Sequence, residues 1–153
     1  MAEMTPATFE RLTRELEAIE TTALPAAEDD VARAQGVGDI AENPDVRLAL
    51  KEVARLRARR DQVREALRDA VVTETGESDV VAVGVLVTLR FEGDDETETF
   101  LFGGAEERHE RHTTLSRQSP IGAAVEGRRA GERVTVSLGG RETSVEVVGL
   151  EAA

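Results

Sequence analysis

The chain has 153 residues, enough for one domain or two small ones. Aromatic residues make up only 3% and cysteine is absent, so we expect no large globular core and exclude a disulfide scaffold or thiolate metal site. The formal net charge of −12 argues against strong binding to free nucleic acid, because such binding depends on cationic contacts to phosphate.

The acidic charge itself has two interpretations. It suits a basic protein groove or a site that needs carboxylates, and it is also a common source of solubility. No apolar run approaches the roughly 18 residues that a membrane span needs, and the N-terminus lacks a signal-peptide pattern. We therefore expect a cytoplasmic protein without a membrane partner.

The first predicted element is a helix that opens with Thr5 as N-cap and Pro6 as the first helical residue. Apolar residues then recur at spacings of three, four and three, which is typical of a coiled-coil seam: Phe9, Leu12, Leu16 and Ile19. Pro25 lacks an N–H, so it should kink or restart the helix.

The helical pattern breaks at Gly36-Val37-Gly38-Asp39-Ile40-Ala41-Glu42-Asn43-Pro44. Glycine readily adopts φ > 0, so the two glycines are expected to end the first helix. Asn43 and Pro44 are the N-cap and first residue of a second helix. If the two helices pair antiparallel, Asp39 and Glu42 lie on the turn at the far tip of the hairpin.

The two tip carboxylates are the chain's candidate chemistry. Asp39 and Glu42 can share a Mg²⁺, but two oxygen ligands cannot hold this ion tightly alone. They would form half of a site that another molecule completes. The alternative is that they only solvate the turn and favour the N-terminus of the next helix electrostatically.

The second helix should run from about Pro44 to Val71, giving arms on the order of 40 Å. Its predicted seam has Arg60 at one apolar position and otherwise consists of Val46, Leu50, Val53, Leu56, Val63 and Leu67. Eight basic residues form a face that either meets RNA or an acidic partner, or pairs with acids of the hairpin: Arg47, Lys51, Arg55, Arg57, Arg59, Arg60, Arg64 and Arg68.

A polar segment over 73–79 predicts a hinge, which gives an N-terminal coiled-coil domain over 1–75 and a C-terminal domain over 76–153. Alternating apolar residues predict strands over 83–91, 97–102, 134–138 and 144–150. Ser119-Pro120 should open a short helix. Residues 105–111 should form an exposed loop. The prediction is α+β: a helical hairpin followed by a small antiparallel sheet covered by one helix.

Other chemistry is not supported. There is no nucleophile–base arrangement and no phosphate-binding glycine loop after a strand, so we do not expect an enzyme in its own right. His109 and His112 lack the spacing of a zinc-protease motif, and we interpret them as solvated.

The sequence resembles the bacterial Gre transcript-cleavage factors. Gly38-Asp39-Ile40-Ala41-Glu42-Asn43 is similar to their signature G-D-[LI]-x-E-N. The segment from Ser119-Pro120-Ile121 to Gly127 is similar to their S-P-[LI]-x-x-A-L-x-G, and Gly131-Glu132-Arg133-Val134 continues the match. The resemblance spans nearly the whole chain in the right order.

The resemblance implies an FKBP-like C-terminal domain and a coiled coil that enters the secondary channel of bacterial RNA polymerase. Asp39 and Glu42 match the catalytic acids, which help hold a Mg²⁺ shared with the polymerase and stimulate its cleavage of the nascent RNA 3′ end in backtracked complexes. Ser119, Pro120 and Ile121 correspond to the segment implicated in docking at the channel rim. We expect a monomer.

The chain departs from the family pattern just after the tip. Val46 stands where the family usually has tyrosine, and Leu50 where it has a basic residue. The residues expected to contact the RNA 3′ end are then Asn43, Arg33, Arg47 and Lys51. Two alternatives stay open: a relative that occupies the channel and inhibits without cleaving, and a coiled-coil adaptor that does not contact polymerase.

Overall fold

The computed structural model describes residues 2–36, 43–74 and 76–153. Contacts divide the chain into two compact units, one formed by Met1–Phe9 with Ala70–Ala153 and the other by Glu10–Asp69. The proposed domain boundary between residues 75 and 76 stays a prediction.

The predicted N-terminal helical hairpin is confirmed. Helix α1 (Pro6–Ala18) is followed by a π-helical turn (Ile19–Ala23) and helix α2 (Leu24–Gln35), and helix α3 (Pro44–Arg68) returns. Asn43 contacts Ala34 beside the connection, whereas Arg64 pairs with Glu20 farther along, so α2 and α3 are antiparallel. A cluster of buried residues joins them: Ile19, Leu24, Ala27, Val53 and Leu56.

The π-helical turn keeps the apolar side of the first arm in the seam. After Ile19 the next buried residue is Leu24, five positions on, where a regular seam would continue after four. The N–H of Leu24 donates to the carbonyl of Ile19, so the wider turn accommodates the extra residue. The predicted restart of the helix at Pro25 is therefore confirmed: the π-helical turn ends at Ala23, and α2 begins at Leu24 with the proline in its first turn.

The seam of α3 differs from its prediction at one position. Buried and half-buried residues follow a strict alternation of three and four: Val46, Ala49, Val53, Leu56, Arg60, Val63 and Leu67. The seam passes through Ala49, so the prediction of Leu50 was wrong, and Leu50 is 45% exposed. Phe9 of α1 is likewise exposed rather than in the seam.

The unit formed by Met1–Phe9 with Ala70–Ala153 contains a five-stranded sheet. Its strands are β3 (Val85–Phe91), β4 (Glu98–Gly103), β5 (Thr113–Ser116), β6 (Arg133–Leu138) and β7 (Arg141–Ala152). The order of the strands in the sheet is β5-β4-β3-β7-β6. Helix α4 (Pro120–Val125) packs against it, with Val125, Phe102 and Val147 among the fully buried core residues. The α+β class is confirmed; the FKBP-like label stays a prediction.

Two short pairings were not predicted. Strand β5 runs parallel to β4, so the sheet is mixed rather than purely antiparallel. Strand β1 (Ala2–Met4) pairs in parallel with β2 (Ala70–Val72). Helix α3 therefore ends at Arg68, short of the predicted Val71, because β-branched Val71 and Val72 favour an extended backbone and find a partner strand.

The loop over 105–111 was predicted to be exposed, and this was wrong at Glu107, which is 1% exposed. Its Oε1 accepts a hydrogen bond from the backbone N–H of Thr5 at 2.9 Å. Its Oε2 accepts from the hydroxyl of Thr5 at 3.3 Å and from that of Thr8. Glu107 thus satisfies polar groups at the start of α1, where backbone donors lack helical partners.

Replacing this carboxylate should destabilise the fold. Because charge-assisted hydrogen bonds are replaced by neutral ones in a buried site, Glu107→Gln is expected to lower the free energy of unfolding by about 2 kcal/mol. The measurement is urea unfolding followed by circular dichroism. Glu110→Gln, an exposed residue of the same loop, is the control and should leave the midpoint unchanged; equal midpoints for both variants would contradict this role.

Candidate functional site

The two predicted acids of the tip, Asp39 and Glu42, lie outside the described residues, whereas Gly36 and Asn43, on either side of them, are described. The side-chain oxygen of Asn43 accepts from the backbone N–H of Asp45 at 2.9 Å, which confirms the predicted N-cap. The side-chain nitrogen of Asn43 donates to the carbonyl of Ala34 at 3.4 Å. Asn43 therefore fastens the end of α2 to the start of α3.

Gly36 and Val46 lie on either side of the tip segment, at the end of α2 and the start of α3. Gly36 has a φ of −71°, so the left-handed cap expected at this glycine is not formed, although α2 does end at Gln35. Gly38 lies outside the described residues. Val46, which stands where the family usually has tyrosine, is fully buried and belongs to the seam.

The cations predicted to lie near RNA fall into two groups. Arg33 forms an ion pair with Asp30 on its own helix. Arg47 and Lys51 are exposed on the first turns of α3, and neither forms a salt bridge to another described residue. Within the described ranges no three histidine or acidic side chains gather closely enough to hold a metal ion.

Most of the remaining basic face of α3 is engaged in ion pairs, which supports the pairing interpretation of those residues. Arg59 binds Glu15 through two contacts of 2.6 and 2.9 Å, and Arg64 and Arg57 reach Glu20 and Glu28 at 2.9 and 3.4 Å. Within α3, hydrogen bonds from Arg55 lower the pKa of Glu52, and the same contact raises the pKa of Arg55.

The second predicted site is the start of α4. The hydroxyl of Ser119 accepts from the N–H of Gly122 at 3.0 Å and donates to the carbonyl of Ser116 at 2.7 Å, which confirms the predicted cap. Ile121 is half-buried against the sheet core. Pro120 is exposed.

Sequence reasoning missed Arg117, which precedes this segment. Its guanidinium pairs with Glu126 at 2.5 Å and with Glu3 at 3.9 Å. An isolated arginine near a predicted helix carries no signal that would reveal such partners.

His109 and His112 lie in a loop rather than on a helix, with ring centroids 5.0 Å apart. The Nδ1 atom of His109 accepts from the backbone N–H of Arg111 at 3.1 Å. None of the helices, as far as the chain is described, is long and apolar enough to cross a membrane.

The chain thus combines a helical hairpin, whose connection carries two acids in sequence, with a small α+β sheet unit. Comparison with known protein families shows which class of protein has this combination. Residues 2–72 match the family described as "Transcription elongation factor, N-terminal", and residues 76–152 match "Transcription elongation factor, GreA/GreB, C-term". The chain therefore belongs to the GreA/GreB family of transcription elongation factors.

Several relatives share most of their length with this chain. It is 33% identical to "Transcription elongation factor GreA" of Geobacillus kaustophilus, over 97% of this chain and 95% of the relative. It is 36% identical to the protein of the same name from Chloroflexus aurantiacus, over 82% of each. A solved structure of the transcription factor Gfh1 is 26% identical, with a TM-score of 0.49, over 98% of this chain and 97% of that one.

The dual role of Asn43 predicts a graded response to substitution. Asn43→Ala removes the cap and the contact to Ala34, and should lower the free energy of unfolding by about 1 kcal/mol. Asn43→Asp keeps an oxygen that accepts from the backbone N–H of Asp45, so its free energy of unfolding should fall by less. Thermal unfolding of both variants measures the difference, and an Ala variant as stable as the native chain would refute the fastening role.

The start of α4 depends on a glycine. A Cβ built on Gly122 would lie 1.9 Å from the carbonyl oxygen of Ser116, a contact that only a backbone shift can relieve. Gly122→Ala should therefore destabilise the chain by about 2 kcal/mol or more. Gly149→Ala is the control, because a Cβ there meets no atom within 4 Å. Urea unfolding measures the free energy of unfolding of both variants. A similar decrease in Gly122→Ala and Gly149→Ala would contradict the steric explanation.

Proposed function

We propose that this chain binds RNA polymerase through its secondary channel and stimulates Mg²⁺-dependent cleavage of the nascent RNA 3′ end in backtracked complexes. One observation carries the proposal: the family's acidic motif, Gly38 to Asn43, falls between the two helices of an antiparallel hairpin. The GreA names of its relatives support the same role.

The donor set suits a shared Mg²⁺. Carboxylate oxygens are the ligands that this ion prefers, and two of them leave most of its coordination positions to other groups. A bound Mg²⁺ would polarise the scissile phosphate and activate a water. In this proposal Asp39 and Glu42 contribute oxygen ligands and orient that water, and the polymerase supplies the remaining ligands. The chain is then a cofactor of the polymerase's own cleavage rather than an enzyme.

The other contacts follow from the site geometry. Arg47 and Lys51 are the cations best placed to approach the RNA 3′ end, because Arg33 has an acidic partner and Asn43 is engaged at both ends of its amide. The segment Ser119, Pro120 and Ile121 docks at the channel rim, with Pro120 outermost. We further propose that the chain acts as a cytoplasmic monomer and that its sheet unit is FKBP-like.

A second candidate is a regulator that occupies the channel and inhibits without cleaving. The observation that favours it is Leu50, an exposed apolar residue where the family usually has a basic one. This candidate predicts slower RNA synthesis without shortened transcripts.

The decisive experiment uses a stalled, backtracked complex with labelled RNA and Mg²⁺. The native chain should release short 3′ fragments. Asp39→Asn and Glu42→Gln should each slow release on the order of 100-fold or more, because electrostatic stabilisation of the reacting phosphate is lost. Asp45→Asn removes a nearby acid outside the motif and is the control that should retain cleavage.

The outcomes separate the candidates. Binding to polymerase should survive both acid substitutions. Inhibition by the native chain without any fragment would identify the non-cleaving regulator, and cleavage at the native rate by the double variant would refute the proposed role of the acids.

A further inference from the structure

His109 holds a turn in the loop between β4 and β5 through a nitrogen of its side chain. The Nδ1 atom accepts a hydrogen bond from the backbone N–H of Arg111 at 3.1 Å. A ring nitrogen that accepts a hydrogen bond carries no proton, so this contact requires the neutral imidazole with its proton on Nε2. The turn over residues 109–111, which we call the His109 turn, therefore depends on the protonation state of one side chain.

The preceding part of the loop is held by groups that do not titrate near neutral pH. The Nη1 atom of Arg108 donates to the carbonyls of Ala105 and Glu107, at 2.6 and 2.8 Å. The hydroxyl of Thr114 donates to the same carbonyl of Glu107 at 2.7 Å. In a chain without cysteine, imidazole is the one side chain that ordinarily changes charge between about pH 5 and 8. Mild acidification is therefore expected to act on the His109 turn and to spare residues 105–108.

Charges of both signs surround the imidazole. His109 lies on the wall of an open cavity of about 530 Å³, to which β3 contributes the apolar Leu86. The titratable and charged side chains that share this wall are Arg108, Glu110, Arg111 and His112 from the loop and Glu151 from β7. Two arginines are offset by two glutamates, so the hydrogen bond of Nδ1, rather than the surrounding charge, carries the inference.

We propose that the His109 turn is a pH-sensitive switch that opens this cavity below neutral pH. Nδ1 takes a proton from the solvent and becomes a donor, so the N–H of Arg111 loses its acceptor and two donors face each other. Segment 109–112 then moves away from its present position, and Leu86, which is 7% exposed, becomes accessible to water. This inference goes beyond the proposed function and does not depend on it.

The second histidine acts in the same direction. The ring centroids of His109 and His112 are 5.0 Å apart. When both imidazoles carry a proton, two like charges stand at this distance and repel each other. The repulsion is relieved when the loop opens, so His112 strengthens a switch whose hydrogen bond belongs to His109.

The test measures hydrogen exchange of the Arg111 amide by NMR in the full chain, between about pH 8 and 5. Each rate is divided by the rate of an unstructured peptide at the same pH, which removes the pH dependence of the exchange chemistry itself. Protection of the Arg111 amide should fall about 2- to 10-fold on acidification, the range expected when one hydrogen bond is lost. The amide of Arg117, which donates to the carbonyl of Gly103 at 2.9 Å, is the internal reference and should keep its protection.

Two matched variants assign the effect to one ring. His109→Asn keeps a side-chain acceptor that does not titrate, so protection of the Arg111 amide should no longer depend on pH. His112→Asn removes the other imidazole and leaves the acceptor in place, so the protection should still fall.

The inference is overturned if protection of the Arg111 amide in the native chain is the same at both ends of the pH range. It is also overturned if His109→Asn loses protection as the native chain does, or if the Arg117 reference falls in parallel, since the whole unit would then be opening. Loss of the pH dependence in His112→Asn alone would assign the switch to His112 and contradict the role of Nδ1 of His109.

Discussion

A carboxylate removed from water must be matched by hydrogen-bond donors, and this requirement organises the sheet unit around Glu107. Its two oxygens are matched by Thr5 and Thr8, about a hundred positions away in sequence, which holds the N-terminal segment against the loop after β4. Its carbonyl accepts from the hydroxyl of Thr114 at 2.7 Å, so the same residue also fixes the start of β5. Gly103 leaves the necessary room, because a Cβ there would lie 2.5 Å from the Glu107 side chain.

The hairpin is governed by a different constraint, the spacing of its apolar residues. The first arm has one residue too many between Ile19 and Leu24, and the π-helical turn accommodates it just before Pro25, which could not donate a helical hydrogen bond in any case. The second arm keeps a strict alternation of three and four. The two leucines that miss this alternation, Leu48 and Leu50, are left exposed on the outer face of the helix.

Features set by neighbours in sequence were predictable, and those set by distant partners were not. Asn43 and Ser119 cap their helices as expected, because capping depends on the next three residues. Strands β1, β2 and β5 are three or four residues long, too short for a periodic signal, and form only through pairing. The burial of Glu107 depends on Thr5 and Thr8, which are distant in sequence, and its neighbours in the chain do not indicate it. For the candidate site, the sequence alone was enough to recognise the two family motifs and their order along the chain. The chemistry of Asp39 and Glu42 stays a prediction.

The fastening of α2 to α3 by Asn43 has a consequence for how such proteins diverge. The bonds of this side chain reach Ala34 on one side and Asp45 on the other, so they secure both ends of the segment over 37–42 without using any residue inside it. These two hydrogen bonds therefore do not depend on which side chains occupy those six positions. Under this arrangement the acids proposed for catalysis can change in a lineage while the fastening by Asn43 is inherited, so activity and this fastening can evolve separately.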